Sequence, residues 1–190
     1  MSGESRANRK AAESAISDLI RSLGLDPARD PELQGSPSRI ADFYFEAFSG
    51  LDPGAEPDLV TFPHTGEGQL VLVRDLAFHS MCVHHFAPFF GRALIAYLPD
   101  QKLIGVSGLP RLLELYSRRP QVQERLGEQI ASHLERLVAP RGVAVVLEAR
   151  HLCMEMRGIR KRGRMETRVV RGALAAPEWA HALQLEPRGR

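Results

Sequence analysis

Cys82-Val83-His84-His85 and, much further along, His151-Leu152-Cys153 set both cysteines of this chain beside histidines. The chain has only two cysteines and seven histidines, so these two segments hold all of its thiols and three of its imidazoles. Two thiolates and one imidazole are a frequent zinc ligand set, and a position left open for water makes such an ion a hydrolytic catalyst. Cys82-x-x-His85 closes a local chelate, and a ligand from the distant segment would tie two parts of the fold around one ion. Other readings compete. A Cys82–Cys153 disulfide needs an oxidising compartment, yet no signal-peptide pattern opens the sequence. The thiols could equally pack as small apolar side chains. A purely structural zinc usually takes four Cys/His ligands. Here the fourth would be His84 or His151, the two residues best placed for acid–base work.

The surroundings bound what such a site can serve. At 190 residues the chain suits one domain with an N-terminal extension, divided here into a helical extension (1–50) and a catalytic domain (51–190). No apolar run approaches a membrane span, so a cytoplasmic protein is expected, with no membrane partner. The net charge of +2 is too small to argue for nucleic acid. Its distribution says more: seven basic residues lie between Arg157 and Arg171, against the single acid Glu166. Such a run is commonly a solvated face, and guanidinium groups also pair bidentately with phosphate.

Apolar spacing assigns the elements. Residues 1–9 are polar and expected to fray. Ala12, Ile16, Leu19, Ile20 and Leu23 recur at helical spacing over 10–23, and Gly24 is the stop. Ser36-Pro37-Ser38 reads as an N-cap with proline at the first position, opening a helix that ends at Gly50. Residues 51–68, rich in Pro, Gly and Asp, read as loop. Then the period changes. Gln69–Ser80 and Phe89–Leu98 read as strands joined through the Cys-His-His turn. Ser107–Ser117 and Pro120–Ala139 read as helices, the second with a stripe of Val122, Leu126, Ile130, Leu134 and Leu137. Gly142–His151 is the strongest strand, pairing with one near Glu166–Leu174. The order gives an α+β fold with an antiparallel sheet.

From Val71 to Leu174 the chain resembles GTP cyclohydrolase I, through VLVRDL, CVHHFAPFFG, IGVSGLPRLLELYSRRPQVQERL and HLCMEMRGIRK. The resemblance implies the tunnelling fold, in which sheet-and-helix-pair subunits join edge to edge into a β-barrel. It also implies a homodecamer of two stacked pentamers with interfacial active sites. It implies Zn2+ on Cys82, His85 and Cys153, and proton transfer by His84 and His151. Glu124, with Gln123, would recognise guanine, a carboxylate accepting from N1–H and the 2-amino group. Ser107, Arg111, Arg157 and Arg39 would contact phosphate. The implied reaction is hydrolytic opening of the GTP imidazole ring, with loss of formate and formation of 7,8-dihydroneopterin triphosphate.

Four positions depart from the family pattern. Gly108 stands where the family usually has lysine, and Asp42 where it often has lysine. Val83 replaces a glutamate, and Thr167-Arg168-Val169-Val170 replaces a Thr/Ser-rich segment. Arg160, Arg162, Arg164 or Arg168 could make up lost positive charge. The departures leave as alternatives a paralogue acting on a less phosphorylated guanine compound and an inactive structural relative. A zinc nucleobase deaminase is a weaker rival, since its P-C-x-x-C pattern is absent and the two cysteines, Cys82 and Cys153, lie far apart in sequence.

Overall fold

Two units, divided between Phe48 and Ser49, make up a computed structural model that describes residues 3–66 and 69–185. In the first, α1 (Gly3–Ser22) and α2 (Ser36–Ala47) are joined by an Arg9–Asp42 ion pair and by Ser38 Oγ donating to Glu13 Oε1 at 3.2 Å. The helix α1 starts well before Lys10, in a stretch expected to fray. Glu, Arg and Ala there are good helix formers. Gly35 at φ 77°, not Ser36, caps α2, because a glycine turns left-handed without strain. Ser36 Oγ instead accepts from Arg39 Nη2 at 2.9 Å. The helix stops at Ala47. Gly50 lies beyond it in a 3-10 turn where an added Cβ would fall 2.2 Å from the Leu115 carbonyl oxygen.

The second unit runs β1 (Thr61–Pro63), β2 (Val71–Cys82), β3 (Pro88–Leu98), β4 (Lys102–Ile104), α3 (Gly108–Ser117), β5 (Pro120–Gln121), α4 (Gln123–Val138), β6 (Gly142–His151), α5 (Leu152–Glu155) and β7 (Met165–Gly172). It is the expected α+β fold. The main sheet has the order β5-β2-β3-β6-β7, antiparallel throughout except for β5 beside the end of β2. Four short elements, β1, β4, β5 and α5, do not follow from the sequence periodicity. The strand β1 crosses the proline-rich loop to pair with β4. Pro120 opens an edge strand rather than a helix, a position that asks no N–H of it.

Strand alternation sends Ala93, Ile95, Tyr97, Val143, Val145 and Leu147 to one face, against α3 and α4. Their partners include Leu109, Leu112, Leu126, Ile130 and Leu134. Each such fully buried side chain contributes about 1.5–3 kcal/mol. The opposite face carries Leu94, Ala96, Leu98, Ala144 and Val146, covered by Leu174 and Leu183 from the C-terminal segment. Arg74 fastens that segment by donating to the carbonyl oxygens of Ala182 (2.9 Å) and Gln184 (3.0 Å). Burial on both faces is why β6 reads as a continuous apolar run. Among the described residues, no helix is long and apolar enough to cross a membrane.

Candidate active site

Cys82 is the last residue of β2, and the chain turns back into β3 within five residues. The Cys82 N–H donates to the Ala87 carbonyl (2.9 Å), and the Cys82 carbonyl accepts from the N–H groups of Phe86 (2.8 Å) and His85 (3.3 Å). Phe86 makes the turn at φ 48°. Val83 N–H ties the turn to Gln121 O of β5 at 2.9 Å. The result faces His84 and His85 outward while Cys82 stays buried. The Nδ1 atoms of both histidines lie 3.8 Å from Cys82 Sγ.

The strand β6 delivers the second segment. Its register against β3 pairs Phe89 with His151, and the two rings stack at 4.7 Å and 2°. One turn later α5 presents Cys153, so that ligand atoms of Cys82, His85 and Cys153 all fall within 4.8 Å of one another. In tetrahedral zinc geometry a sulfur and a nitrogen ligand stand roughly 3.5 Å apart, so the group fits that ion with little movement. Burial first, and the neighbouring Cys82 next, push the Cys153 thiol above its ordinary range. Two thiols forced together without a cation resist ionisation, and a bound cation would reverse the effect. Arg157 Nη1 lies 2.7 Å from His85 Nε2 at the outer edge of the group, a contact in which His85 can accept only while neither of its nitrogens holds a metal.

Gln123, the first residue of α4, fixes His151. Its side chain is 1 % exposed. Its Nε2 faces the carbonyl oxygens of Leu147 and Met165 (both 3.0 Å) and Thr167 Oγ1 (3.2 Å), which sets the orientation of the amide. Its Oε1 therefore accepts from His151 Nε2–H at 2.8 Å, and Nδ1 keeps the lone pair. Burial lowers the His151 pKa below 6.5, with Glu124 and Glu155 opposing it. At neutral pH the ring is a free base. Among the described residues no side-chain cap bond forms at the start of α4, which leaves its first N–H groups without a helical acceptor.

A family model of GTP cyclohydrolase I matches residues 12–185. The chain belongs to the GTP cyclohydrolase I family. It is 42% identical over 180 residues to "GTP cyclohydrolase 1" of Bacillus pumilus, covering 94% of this chain and 95% of that one. It is 46% identical over 171 residues to the protein of the same name in Streptomyces avermitilis, covering 88% and 85%. Among solved structures, "archaeosine synthase QueF-Like in the apo form" aligns with a TM-score of 0.42 and 15% identity, over 54% of this chain and 95% of that one.

In this GTP cyclohydrolase I family member the expected site residues fall into three places. Cys82, His84, His85, Gln123, His151, Cys153 and Arg157 converge as described, and Glu124 adjoins them at the start of α4. Ser107 and Arg111 lie at the N-terminal end of α3, whereas the C-terminal end of that helix leads into β5 and the Cys82 turn. Ten helical residues separate the two ends by about 15 Å. Arg111 Nη1 there donates to the Asp58 carbonyl at 3.4 Å. Arg39 belongs to the first unit.

Within the basic run, Arg164 pairs with Glu148, Arg168 with Glu166, and Arg171 with Glu128 and Glu135. Arg157, Arg160, Lys161 and Arg162 lie on the exposed loop beside the ligand group. Phe89, Arg150 and Glu155 were not singled out from the sequence. Only the β3–β6 register, unknowable from spacing alone, reveals that Phe89 lies against His151.

Proposed function

We propose that this chain is a zinc-dependent GTP cyclohydrolase I, a hydrolase that opens the imidazole ring of GTP at C8, releases formate and yields 7,8-dihydroneopterin triphosphate. The observation that carries this is the meeting of Cys82, His85 and Cys153 beside a histidine whose tautomer and charge are already set. Zinc bound by those three residues supplies Lewis acidity and hydroxide near neutral pH. His151 takes a proton at Nδ1, because Nε2–H is held by Gln123 and burial keeps the ring neutral. His84, exposed and adjacent, exchanges protons with solvent.

Glu124 accepts two hydrogen bonds from the guanine N1–H and 2-amino groups, a pairing adenine does not offer. The open N–H groups at the start of α4 suit the guanine carbonyl oxygen. Gln123 serves base recognition by holding the start of α4 and His151 in register. Arg157 meets phosphate at the mouth.

Ser107 and Arg111 lie at the first turn of α3, at the opposite end from the segment that leads to the Cys82 turn, which favours a site completed by a neighbouring copy. That is the arrangement of a homodecamer built from barrel-forming rings, with Arg39 also supplying a cation. The reducing cytoplasm would keep both thiols available as ligands.

The test is turnover by zinc-loaded protein. GTP should yield one formate and a product with the mass of dihydroneopterin triphosphate. GMP and guanosine should react more slowly, and the GTP advantage should shrink with added salt, which screens exposed phosphate contacts. Zinc-loaded protein that releases no formate from GTP would end this reading.

A further inference from the structure

The third ligand sits on a poor support. The helix α5 is a single turn of four residues, and one turn has little stability of its own in water. Its internal brace is the Met156 N–H donating to the Leu152 carbonyl at 2.9 Å. Cys153 packs on the core, and an ion pair brackets the turn. Arg150, just before His151, donates through Nε to Glu155 Oε1 at 2.9 Å and through Nη2 to Glu155 Oε2. A two-armed fork of this kind fixes direction as well as distance. Four residues lie inside the bracket, and two of them are His151 and Cys153.

The bracket is itself anchored. The Arg150 guanidinium lies over the ring of Phe90, 5.7 Å from its centroid, and Phe90 stacks on His79, also at 5.7 Å. These three residues belong to β6, β3 and β2. The Glu155 side chain is 10 % exposed and that of Arg150 32 %, so the pair is covered on its carboxylate side and open to solvent on the other. Glu155 also accepts a backbone hydrogen bond from Gly163, at the far end of the basic loop.

We propose that Arg150 and Glu155 are positioning residues that hold the β6–α5 turn so that Cys153 meets a metal ion already in place. This rests on the reading of Cys82, His85 and Cys153 as the ligands. Groups that orient metal ligands typically alter affinity by about 10–100-fold when removed, and that range is expected here.

The experiment measures zinc affinity of the full-length protein at fixed pH, by competition with a chromogenic chelator, for the parent and Glu155→Gln. It also records the visible absorption of the Co2+-substituted proteins. Glu155→Gln keeps the size of the side chain and loses the charge and one arm of the fork. It should bind zinc about 10–100-fold more weakly and show weakened tetrahedral Co2+ bands. Asp18→Asn, which breaks the exposed Arg21–Asp18 pair in α1, should leave both readouts at parent values. Parent-like zinc affinity in folded Glu155→Gln overturns the proposal. Should Glu155→Gln fail to fold, Arg150→Lys, which keeps the charge and loses the fork, is read by the same two outcomes. Cys153→Ala separates this proposal from the ligand assignment. If it keeps full zinc occupancy, the assignment itself falls. If it loses zinc while Glu155→Gln does not, only the clamp is wrong.

Discussion

Replacing Gln123 with methionine removes an amide whose two N–H donors are shared among three acceptors and whose oxygen accepts one more, and it changes almost no volume. The methionine side chain is of similar length, so no cavity term enters, and the cost is that of the polar contacts. Leu147 O, Met165 O and Thr167 Oγ1 each lose a donor, and His151 Nε2–H loses its acceptor. Two N–H donors and one acceptor at about 1 kcal/mol for each net hydrogen bond make the loss roughly 3 kcal/mol. For a chain of this size each kcal/mol moves Tm by about 2–4 °C, so a fall near 10 °C is expected. The chemistry should suffer separately. With Nε2–H unheld, both His151 tautomers become populated and the free lone pair is no longer fixed at Nδ1. Positioned general acid–base groups contribute about 10²–10⁴-fold, so formate release should fall at least tenfold. Melting is followed at several protein concentrations, because assembly would make Tm concentration-dependent. Formate is measured in a single turnover at saturating zinc. A Tm within about 2 °C of the parent with unchanged formate release would refute the account of Gln123.

Glu124→Gln should weaken guanine binding by about ten- to a hundredfold, because an amide leaves one donor facing a donor at roughly 1–3 kcal/mol; equilibrium binding of GTP to the zinc-loaded variant measures it. His133 is buried with Tyr116 Oη 2.9 Å from Nδ1 and Glu56 3.4 Å from Nε2, and burial holds its pKa below 6.5 despite Glu56. The unfolded chain therefore takes up protons first as pH falls past 6.5, and stability drops below that pH while staying level above it. The slope from this residue is at most about 1.4 kcal/mol per pH unit, and His133→Gln should remove it in denaturant titrations between pH 5.5 and 6.5. At Gly108 an added Cβ would lie 2.4 Å from both Cδ1 and Cγ1 of the buried Ile104. Gly108→Ala should consequently cost about 1–3 kcal/mol in chemical denaturation, and Gly108→Lys no less, whatever it does for phosphate.

That last contact shows what the sequence withheld. Glycine at 108 reads as a missing cation, whereas in the fold it is where α3 approaches β4. Asp42 likewise reads as a reversed charge, and its carboxylate is paired with Arg9. Spacing did single out the three residues that cluster, since Cys82-x-x-His85 is local and Cys153 is the remaining thiol. Alternation and helical stripes located β2, β3, β6, α3 and α4 to within a few residues, because each buries many side chains of one period. Three-residue β1 escaped because its partner β4 lies some forty residues on and proline and glycine dominate its surroundings. The grip of Gln123 on His151 escaped for a related reason. It depends on β6 and β7 arriving beside the start of α4, and no local pattern encodes that meeting.

The ladder between β3 and β6 has a consequence for how the protein comes into being. A slip of one residue would send His151 to the opposite face of the sheet and carry Cys153 out of reach of Cys82. With zinc bound as proposed, metal capture would be a checkpoint on assembly: chains that mispair these strands would lack the third ligand, however complete their local structure. The pairing joins residues from 44 (Leu98 and Gly142) to 62 (Phe89 and His151) positions apart, among the slower closures in folding. During refolding, the appearance of thiolate-to-Co2+ absorption would time this long-range event, lagging behind the helical signal of α3 and α4.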